Sequence, residues 1–474
     1  MALKSKISKV AVYDCDYTHY DNTRYYSPSQ AYVEMLPDIA IKSDDKIYDF
    51  VRKTFILMGL DSSRINTKEW NPFSDFISKG DSVVIKPNFV NHLNHSKNGN
   101  LESVVTNIAI IRPVIDYVVL ALGGTGKIIL GDAPVQDCDF VKLMQISGVD
   151  EMIREYKKHS VDIGLVDFRK NSSDISCATI DMGKDSKFNV KNLPQGKYAI
   201  TNYDLKIMGT HHKGDSHKYI IPEYVIQSDV IINLPKPKTH KKAGVTASMK
   251  NFIGMNASKE CLPHHRSGPT SRGGDEYPED SILKDINSKL QRQTFRKNII
   301  LTFILRVSNF IMSRLLHQNR FREGSWYGND TIWRTILDIN KLIMFVDKNG
   351  KIKTSPQRTI FNLADMIISG DHEGPLAPDN YEAGYIVAGF NQFAVDRTIV
   401  SLMGFDAEKI KYLNTKEGIP AEYKIFGEKI KCIDKYGKQI KDISKIAKKF
   451  EPSDGWRDYL KGDAELPEIG SVYE

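Results

Sequence analysis

Cysteine is scarce and scattered in this chain of 474 residues. The absence of any CxxC pair excludes the usual zinc, iron–sulfur and dithiol redox motifs, so we expect no iron–sulfur cluster. An odd number of widely separated cysteines is typical of a protein from a reducing compartment. The five positions are Cys15, Cys138, Cys177, Cys261 and Cys432.

The start of the sequence, MALKSKISKVAVYDC, has neither the apolar segment nor the cleavage site of a secretory signal. We therefore predict a cytoplasmic protein, either free or peripheral at the inner face of the membrane. Basic residues number 66 and acidic residues 59, an excess too small to indicate nucleic acid. The basic residues are not interleaved with aromatic residues that could stack on bases, so no nucleic-acid partner is expected. The sequence carries no indication of oligomeric state.

Acidic residues are absent from one stretch, 231–259, which contains six lysines. The apolar run 230–234 is short enough for a buried strand and breaks into alternating Pro and Lys. Proline favours extended backbone, so Lys236, Lys238 and His240 are expected on one side of the chain. This concentration of positive charge would repel itself unless water or a bound anion compensates it. We favour the bound anion over a solvated loop, because the run leads into a predicted helix.

The order of strand, helix and strand over 81–130 predicts an α/β fold with a mixed, mainly parallel sheet and flanking helices. Sheets of this kind bind ligands beyond the carboxyl ends of their strands. Several polar residues directly follow predicted strands, so we expect them to meet at one rim, although loops after strands are polar in general. These residues are Lys86, Asn88, Asp132, Lys236 and His240.

The composition predicts four regions. An α/β region with the Lys and His motifs covers 1–275, a basic helical insertion 276–325, a continuation of the core 326–405, and an appendage 406–474. Between 286 and 322 there are eight basic residues and no acidic one. A central Arg306 costs about 2.5–3.5 kcal/mol on membrane-insertion scales, which argues against a spanning helix. The segment suits a lid, a buried or dimer-interface helix, or a helix at an anionic membrane surface.

Two further places carry residues of chemical interest. Asp371 and Glu373 flank a histidine in a loop bounded by glycines, which suits a divalent metal and equally a surface turn. Arg334 lies four residues before Asp338 on a predicted helix, where the two could pair or align a substrate oxygen. A divalent metal is therefore one candidate cofactor.

Several sequence pieces resemble the bacterial and archaeal family called domain of unknown function 362. The pieces are VVIKPN at 83–88, GDAP at 131–134, SDVIINLPKPKTH at 228–240, VTASMKNFIGM at 245–255, EGPLAP at 373–378 and AVDRTIVSLMGF at 394–405. Together they span about 9–405. The resemblance implies little about chemistry, since the family's name defines none. Some relatives carry ferredoxin-type cysteine clusters, which this chain lacks.

A second resemblance, to the nickel-pincer lactate racemases, covers His240 to His265. Its residues in chain order are His240, Ala243, Gly244, Ser248, Lys250, Gly254 and His264 or His265. In that family a His acts as acid and base, a Lys carries a nicotinate-derived cofactor, and a later His binds nickel. The resemblance implies these roles for His240, for Lys250 and for His264 or His265. The flanking Met249, Asn251 and Phe252 differ from the small and apolar residues found in the racemases.

The residues themselves support a related chemistry. Lysines around His240 disfavour its protonated form, so its imidazole is available as a general base near neutral pH. Lys250 on an apolar helix face would be a nucleophile of lowered pKa or an anion clamp, or else a side chain that reaches solvent along that face. The predicted catalytic residues are His240, Lys250 and Asp132. The predicted substrate-binding residues are Lys86, Asn88, Lys236, Lys238, Asn251 and Arg334.

We therefore predict an enzyme that acts on an anionic metabolite or sugar, phosphorylated or carboxylated, by proton or group transfer. A noncatalytic peripheral protein that binds anionic lipid or polymer is the alternative, and a pincer-type racemase or epimerase is a second. The predicted metal ligands are His264, His265, Asp371 and Glu373.

Overall fold

The computed structural model of the chain describes the larger part of the sequence. The described residues are 7–20, 28–35, 46–170, 175–191, 193–201, 203, 205–293, 307–308, 321–416, 420–424, 427 and 429–462. Most of the predicted basic segment 286–322 therefore lies outside the described residues, namely 294–306 and 309–320. In the described part, no helix is both long and apolar enough to cross a membrane.

Most of the strands join one large mixed sheet. The strands are β1 Ile7–Asp14, β2 Ser82–Pro87, β3 Lys127–Asp132, β4 Gly164–Asp167, β5 Cys177–Asp181, β6 Tyr198–Ala199, β7 His212–Lys213, β8 Ser216–Pro222, β9 Val230–Leu234, β10 Lys238–His240, β11 Gly244–Thr246, β12 His265–Arg266, β13 Thr359–Glu373, β14 Ala377–Gly389 and β15 Lys429–Ile433. Two smaller sheets join β12 to β6 and β5 to β8 and β7.

Among the described residues, the large sheet has ten strands, with the order β15-β1-β14-β13-β9-β2-β3-β4, with β10 beside β13 and β11 beside β10. The run from β13 through β9, β2 and β3 to β4 is parallel. Strand β14 is antiparallel to both β13 and β1. The predicted mixed, mainly parallel α/β fold is confirmed.

The helices lie between and beside these strands. They are α1 Lys46–Met58, α2 Ile108–Leu122, α3 Phe140–Ile146, α4 Val149–Lys158, α5 Leu205–His211, α6 Glu223–Ile226, α7 Ser248–Asn251, α8 Ile282–Gln293, α9 Ile332–Phe345, α10 Gln392–Leu402, α11 Ala421–Lys424 and α12 Arg457–Lys461. Helix α2 begins where the Asn107 side chain accepts from the Ala109 N–H. It ends at Gly123, whose φ of 58° suits glycine.

The sheet separates two hydrophobic cores. In β2, Val83 and Ile85 pack into the core that contains α1 and α2, whereas Val84 packs into the core that contains α9 and α10. This alternation follows from the two-residue period of a strand. Lys86 comes one position after Ile85, so its side chain lies on the same face as Val84. The polar end of β2 therefore faces α7 and the segment that follows it.

The segment predicted as an appendage contributes to the core and to the sheet. Strand β15 pairs in parallel with β1. Trp456 is buried, and its indole N–H donates to the Lys241 carbonyl oxygen at 2.7 Å. Backbone N–H groups of Glu451 and Asp454 donate to carboxylates on β13. The segment 451–456 thus packs against the carboxyl end of β13 and against Lys241, which follows β10.

Candidate functional site

The carboxyl ends of β2 and β3 meet in a buried ion pair. The Lys86 ammonium lies 2.8 Å from Asp132 Oδ1, and both side chains are almost inaccessible to solvent. Lys86 also donates to the Pro87 carbonyl oxygen, and the backbone N–H of Phe89 donates to Asp132 Oδ2. The parallel register of β2 and β3 places the two residues side by side at one edge of the sheet. The predicted rim therefore brings Lys86 and Asp132 together.

A chain of buried amides runs from this rim into the sheet. Asn88 Nδ2 donates to Asn251 Oδ1 at 2.9 Å, and Asn251 Nδ2 donates to Asn233 Oδ1 at 2.8 Å. Asn233 then donates to Asn362, which donates to the Gly389 carbonyl oxygen. Every hydrogen bond runs in the same direction, so each polarises the next. Asn233 and Asn362 were not predicted as site residues, although a single Asn inside an apolar strand was a usable signal.

Lys238 stands at the head of this chain. It is fully buried, and its Nζ donates to Asn88 Oδ1 at 2.7 Å and to the Val104 carbonyl oxygen. No described carboxylate lies within ion-pair distance of it. Burial, together with the charges of Lys236 and Lys250, holds the pKa of Lys238 well below its ordinary value.

Lys236 has a different environment from the one predicted. Its Nζ lies 2.7 Å from Asp365 Oδ2 and donates to the Tyr20 hydroxyl and the Ile368 carbonyl oxygen. Three protein partners therefore occupy the three N–H groups of this ammonium. The side chain is fully buried. Lys236 holds β13 and the segment after β1 together, and it does not share the partners of Lys238.

The hydrogen bonds of His240 determine which of its ring nitrogens carries the proton. The backbone N–H groups of Lys242 and Ala243 both donate to His240 Nδ1, at 3.0 and 3.2 Å. The neutral ring therefore carries its hydrogen on Nε2 and offers a donor there. Burial, followed by the charge of Lys250, holds the pKa of His240 well below its ordinary value. This geometry favours a hydrogen-bond donor over the base role predicted from the sequence.

His264 has the opposite tautomer. Its Nδ1 lies 2.8 Å from the Leu262 carbonyl oxygen, which can only accept, so the hydrogen is on Nδ1 and Nε2 keeps a lone pair. Burial and the charge of Lys242 hold the pKa of His264 well below its ordinary value. His264 and His240 are close enough for their charges to interact. The pair therefore combines one acceptor nitrogen with one donor nitrogen.

Lys250 lies on α7, a short helix that is held firmly. Asp396 on α10 accepts the backbone N–H groups of Ser248 and Met249, and Asn340 on α9 donates to the Met249 carbonyl oxygen at 2.7 Å. By contrast, no described residue forms a hydrogen bond or ion pair with the Lys250 amine. Burial, and the neighbouring Lys259 and Lys242, lower the pKa of Lys250 to about 7.

Two further lysines complete the group, and neither was predicted as a site residue. Lys242 Nζ lies 3.2 Å from Thr201 Oγ1 and 3.5 Å from His265 Nδ1. Lys259 donates weakly to the Ile253 carbonyl oxygen at 3.4 Å, and burial lowers its pKa to about 8. Both belong to the acid-free run 231–259, which was the available signal. We call the following six side chains the basic cluster: Lys238, His240, Lys242, Lys250, Lys259 and His264.

Two predicted site residues make structural contacts outside the basic cluster, although His265 Nδ1 also lies 3.5 Å from Lys242 Nζ. His265 lies 3.8 Å from Glu276 Oε1 and contributes to β12. Arg334 lies 3.1 Å from Asp330 and donates to the Lys187 carbonyl oxygen at 2.8 Å, with no pairing to Asp338. The contacts of Arg334 tie α9 to loops that precede it in the chain.

Asp371 and Glu373 bind backbone groups at the end of the described chain. Asp371 accepts the Glu451 N–H, and burial raises its pKa to about 6. Glu373 accepts the Asp454 N–H and lies 3.1 Å from the ammonium of Lys241. Among the described residues, no three His, Cys, Asp or Glu side chains come together as a metal site. The four predicted metal ligands therefore do not form one centre by themselves.

Comparison with known proteins identifies the family of the chain. The family model described as Domain of unknown function (DUF362) matches residues 83–214 and 181–401, which together span about two thirds of the sequence. A search of curated proteins finds no match. Both matched segments include residues of the rim or of the basic cluster. The chain belongs to the DUF362 family.

Proposed function

We propose that the chain is an enzyme that binds an anionic small metabolite at the basic cluster and transfers a proton or a group on it. The observation that carries this proposal is the lack of counterions. Of the six lysines in 231–259, Lys236 and Lys241 have a carboxylate within 4 Å. The other four lysines have none among the described residues, and two neutral histidines lie beside them.

The physical reason is the cost of burying positive charge. Lys238 is buried, and Lys242, Lys250 and Lys259 are half-buried. An ammonium removed from water without a partner either releases its proton or requires an anion nearby. A carboxylate or phosphate bound among these side chains would supply that negative charge and accept their N–H groups. Such a ligand would raise the pKa values of the lysines that it contacts. The proposed substrate is therefore a carboxylated or phosphorylated molecule.

Different side chains of the basic cluster would serve different chemical roles. The Lys250 amine, with a pKa of about 7, exchanges a proton readily at neutral pH. His264 offers an acceptor nitrogen and His240 a donor N–H that would stabilise negative charge developing on a substrate oxygen. Lys242 and Lys259 would hold the anionic group. Isomerisation or epimerisation by proton transfer is the reaction class that these roles fit best.

Anion binding is testable by thermal unfolding with inorganic phosphate or malonate. We expect either anion to raise the melting temperature above that in chloride of equal ionic strength, since a ligand at 100 times its Kd stabilises by about 2.7 kcal/mol. The double variant Lys250→Met with Lys259→Met should lose the effect. The variant Lys438→Met with Lys441→Met removes the same charge from exposed positions and should keep it. Equal melting temperatures in phosphate, malonate and chloride would contradict the proposal.

Proton transfer is testable by nuclear magnetic resonance in D₂O. We expect the protein to exchange the hydrogen at the carbon next to the carbonyl or hydroxyl group of its anionic substrate, measured across 2-hydroxy acids, 2-oxo acids and sugar phosphates. His264→Gln should slow this exchange by about 10²–10⁴-fold, the usual contribution of a general base. Anion binding without exchange on any of these compounds would favour a binding protein over an enzyme.

We also place this enzyme in the cytoplasm. All five cysteines are free thiols, which supports a reducing compartment. A peripheral position at the membrane is the second candidate, favoured by three exposed apolar side chains on α8, Ile282, Leu283 and Ile286, at the start of the basic segment 286–322. Sedimentation with anionic liposomes at low salt tests this, and protein that stays in the supernatant contradicts it.

A further inference from the structure

The Lys250 amine is the least engaged group in the basic cluster. In the described part of the chain, Lys238, Lys242 and Lys259 each donate to an oxygen of the protein, and Lys250 donates to none. The backbone of the two preceding residues, Ser248 and Met249, is nevertheless held by Asp396 and Asn340. A side chain that leaves a firmly held helix and carries an unoccupied amine is available to a ligand.

The surroundings of Lys250 favour the neutral amine, which is the nucleophilic form. The charged groups that face it are Lys242 and Lys259, with Lys238 and the two histidines also within electrostatic reach. Burial disfavours a proton on Lys250 most strongly, and the positive charges of Lys259 and Lys242 act in the same direction. A lysine desolvated beside other cationic groups is the usual setting for attack on a carbonyl carbon.

We propose that the substrate carries a carbonyl group next to its anionic group, as in a 2-oxo acid, and that Lys250 forms an imine with it. This inference rests on the proposed function, because the same cationic neighbours must hold the anionic group. Lys242 and Lys259 would bind the carboxylate or phosphate, which places the adjacent carbonyl carbon at the Lys250 nitrogen.

The step balances without any oxidant or reductant. The lone pair of Lys250 Nζ forms the C–N bond, and the carbonyl π electrons move to oxygen, which gains the proton that the nitrogen loses to give a carbinolamine. The C–O bond then breaks, oxygen leaves as water with a second proton taken from the solvent, and the nitrogen, which keeps one hydrogen, becomes an iminium. His264 Nε2 can then accept a proton from the neighbouring carbon, whose electron pair moves into an enamine. The His240 N–H donates to the oxygen while it carries negative charge.

Reductive trapping tests the imine. The full chain is incubated near pH 7.5 with pyruvate or dihydroxyacetone phosphate and sodium cyanoborohydride, then examined by intact mass and peptide mapping. We expect one reduced adduct, located on Lys250, with at least one of these compounds. Acetone and dihydroxyacetone are the neutral counterparts. They should label Lys250 at least about tenfold less than the anionic compounds do, since a charge-assisted contact contributes about 1.5–3 kcal/mol. The two anionic compounds distinguish a carboxylate substrate from a phosphate.

The matched variants are Lys250→Arg, which replaces the amine by a guanidinium that cannot form an imine, and Lys438→Arg at an exposed position. Lys250→Arg should lose the adduct, and Lys438→Arg should keep it. Absence of any adduct on Lys250, or equal labelling by the neutral compounds or at exposed lysines, would overturn the imine. If phosphate or malonate still stabilises the wild-type chain in that case, the proposed anion-binding function stands. If neither anion stabilises it, both proposals fail.

Discussion

Lys86 and Asp132 form their 2.8 Å ion pair directly beneath the α-carbon of Gly254. A β-carbon on Gly254 would lie 2.0 Å from Asp132 Oδ1 and 2.8 Å from Lys86 Nζ. The Gly254 carbonyl oxygen also accepts the Ala133 N–H at 2.9 Å, which binds the segment after α7 to the end of β3. The close approach of backbone to ion pair explains why glycine is required here.

Replacing Gly254 by alanine should destabilise the protein by about 1–3 kcal/mol, because the added methyl group must displace the ion pair or the backbone. Urea unfolding at neutral pH measures this change. The matched control is Gly209→Ala on α5, where a β-carbon meets nothing within 4 Å. That substitution should be neutral or stabilise by up to about 1 kcal/mol, since alanine favours a helix. Equal stability of Gly254→Ala and wild type would contradict the packing.

Breaking the Lys86 and Asp132 pair from one side should be costly. Lys86→Met leaves a buried carboxylate without its cation, and we expect a loss of about 3–5 kcal/mol in the free energy of unfolding. The double variant with Asp132→Leu should recover much of this loss, which a double-mutant cycle measures. Lys348→Met removes an exposed ion pair with Asp229 and should cost about 0–1 kcal/mol. No recovery in the double variant would contradict a direct pairing.

The lowered pKa of Lys250 predicts a rise in stability with pH. Its pKa is about 7 in the folded chain against an ordinary 10.5, so between these values the unfolded state binds more protons. The free energy of unfolding therefore increases through this group as pH rises from 7 towards 10.5. Below pH 7 Lys250 is charged in both states, and the full cost of burying its ammonium opposes folding. Urea unfolding from pH 7 to 9 should show a smaller slope for Lys250→Met than for wild type. Identical slopes would mean that Lys250 has an ordinary pKa.

The state of Lys250 in protein from the native host separates the proposed imine chemistry from a pincer-type cofactor. We expect an intact mass that equals that of the sequence, with an unmodified Lys250 peptide, because imine formation requires a free amine. Metal analysis of the same sample should show less than stoichiometric nickel. A stable adduct on Lys250 together with bound nickel would instead support the racemase resemblance and exclude the imine.

Part of this arrangement was predictable from local sequence. The apolar runs at 83–85 and 230–234 alternate between two cores and form adjacent parallel strands, so periodicity was sufficient to predict the sheet. Lys86 and Asp132 lie at the carboxyl ends of β2 and β3, and the rule for carboxyl ends predicted that they lie near each other. The concentration of lysines without acids likewise indicated a basic site, because it depends only on composition.

The sequence alone therefore determined the fold class, the family and the region where basic groups gather, because these follow from short-range patterns. Tertiary structure decided which lysines have carboxylate partners. Asp365 and Glu373 lie more than one hundred residues after Lys236 and Lys241, and no local pattern relates them. The tautomers of the two histidines follow instead from local turns, since the backbone groups that bind each Nδ1 lie only two or three residues away in the chain. Lys250 is unpartnered because no described acceptor folds back to reach it.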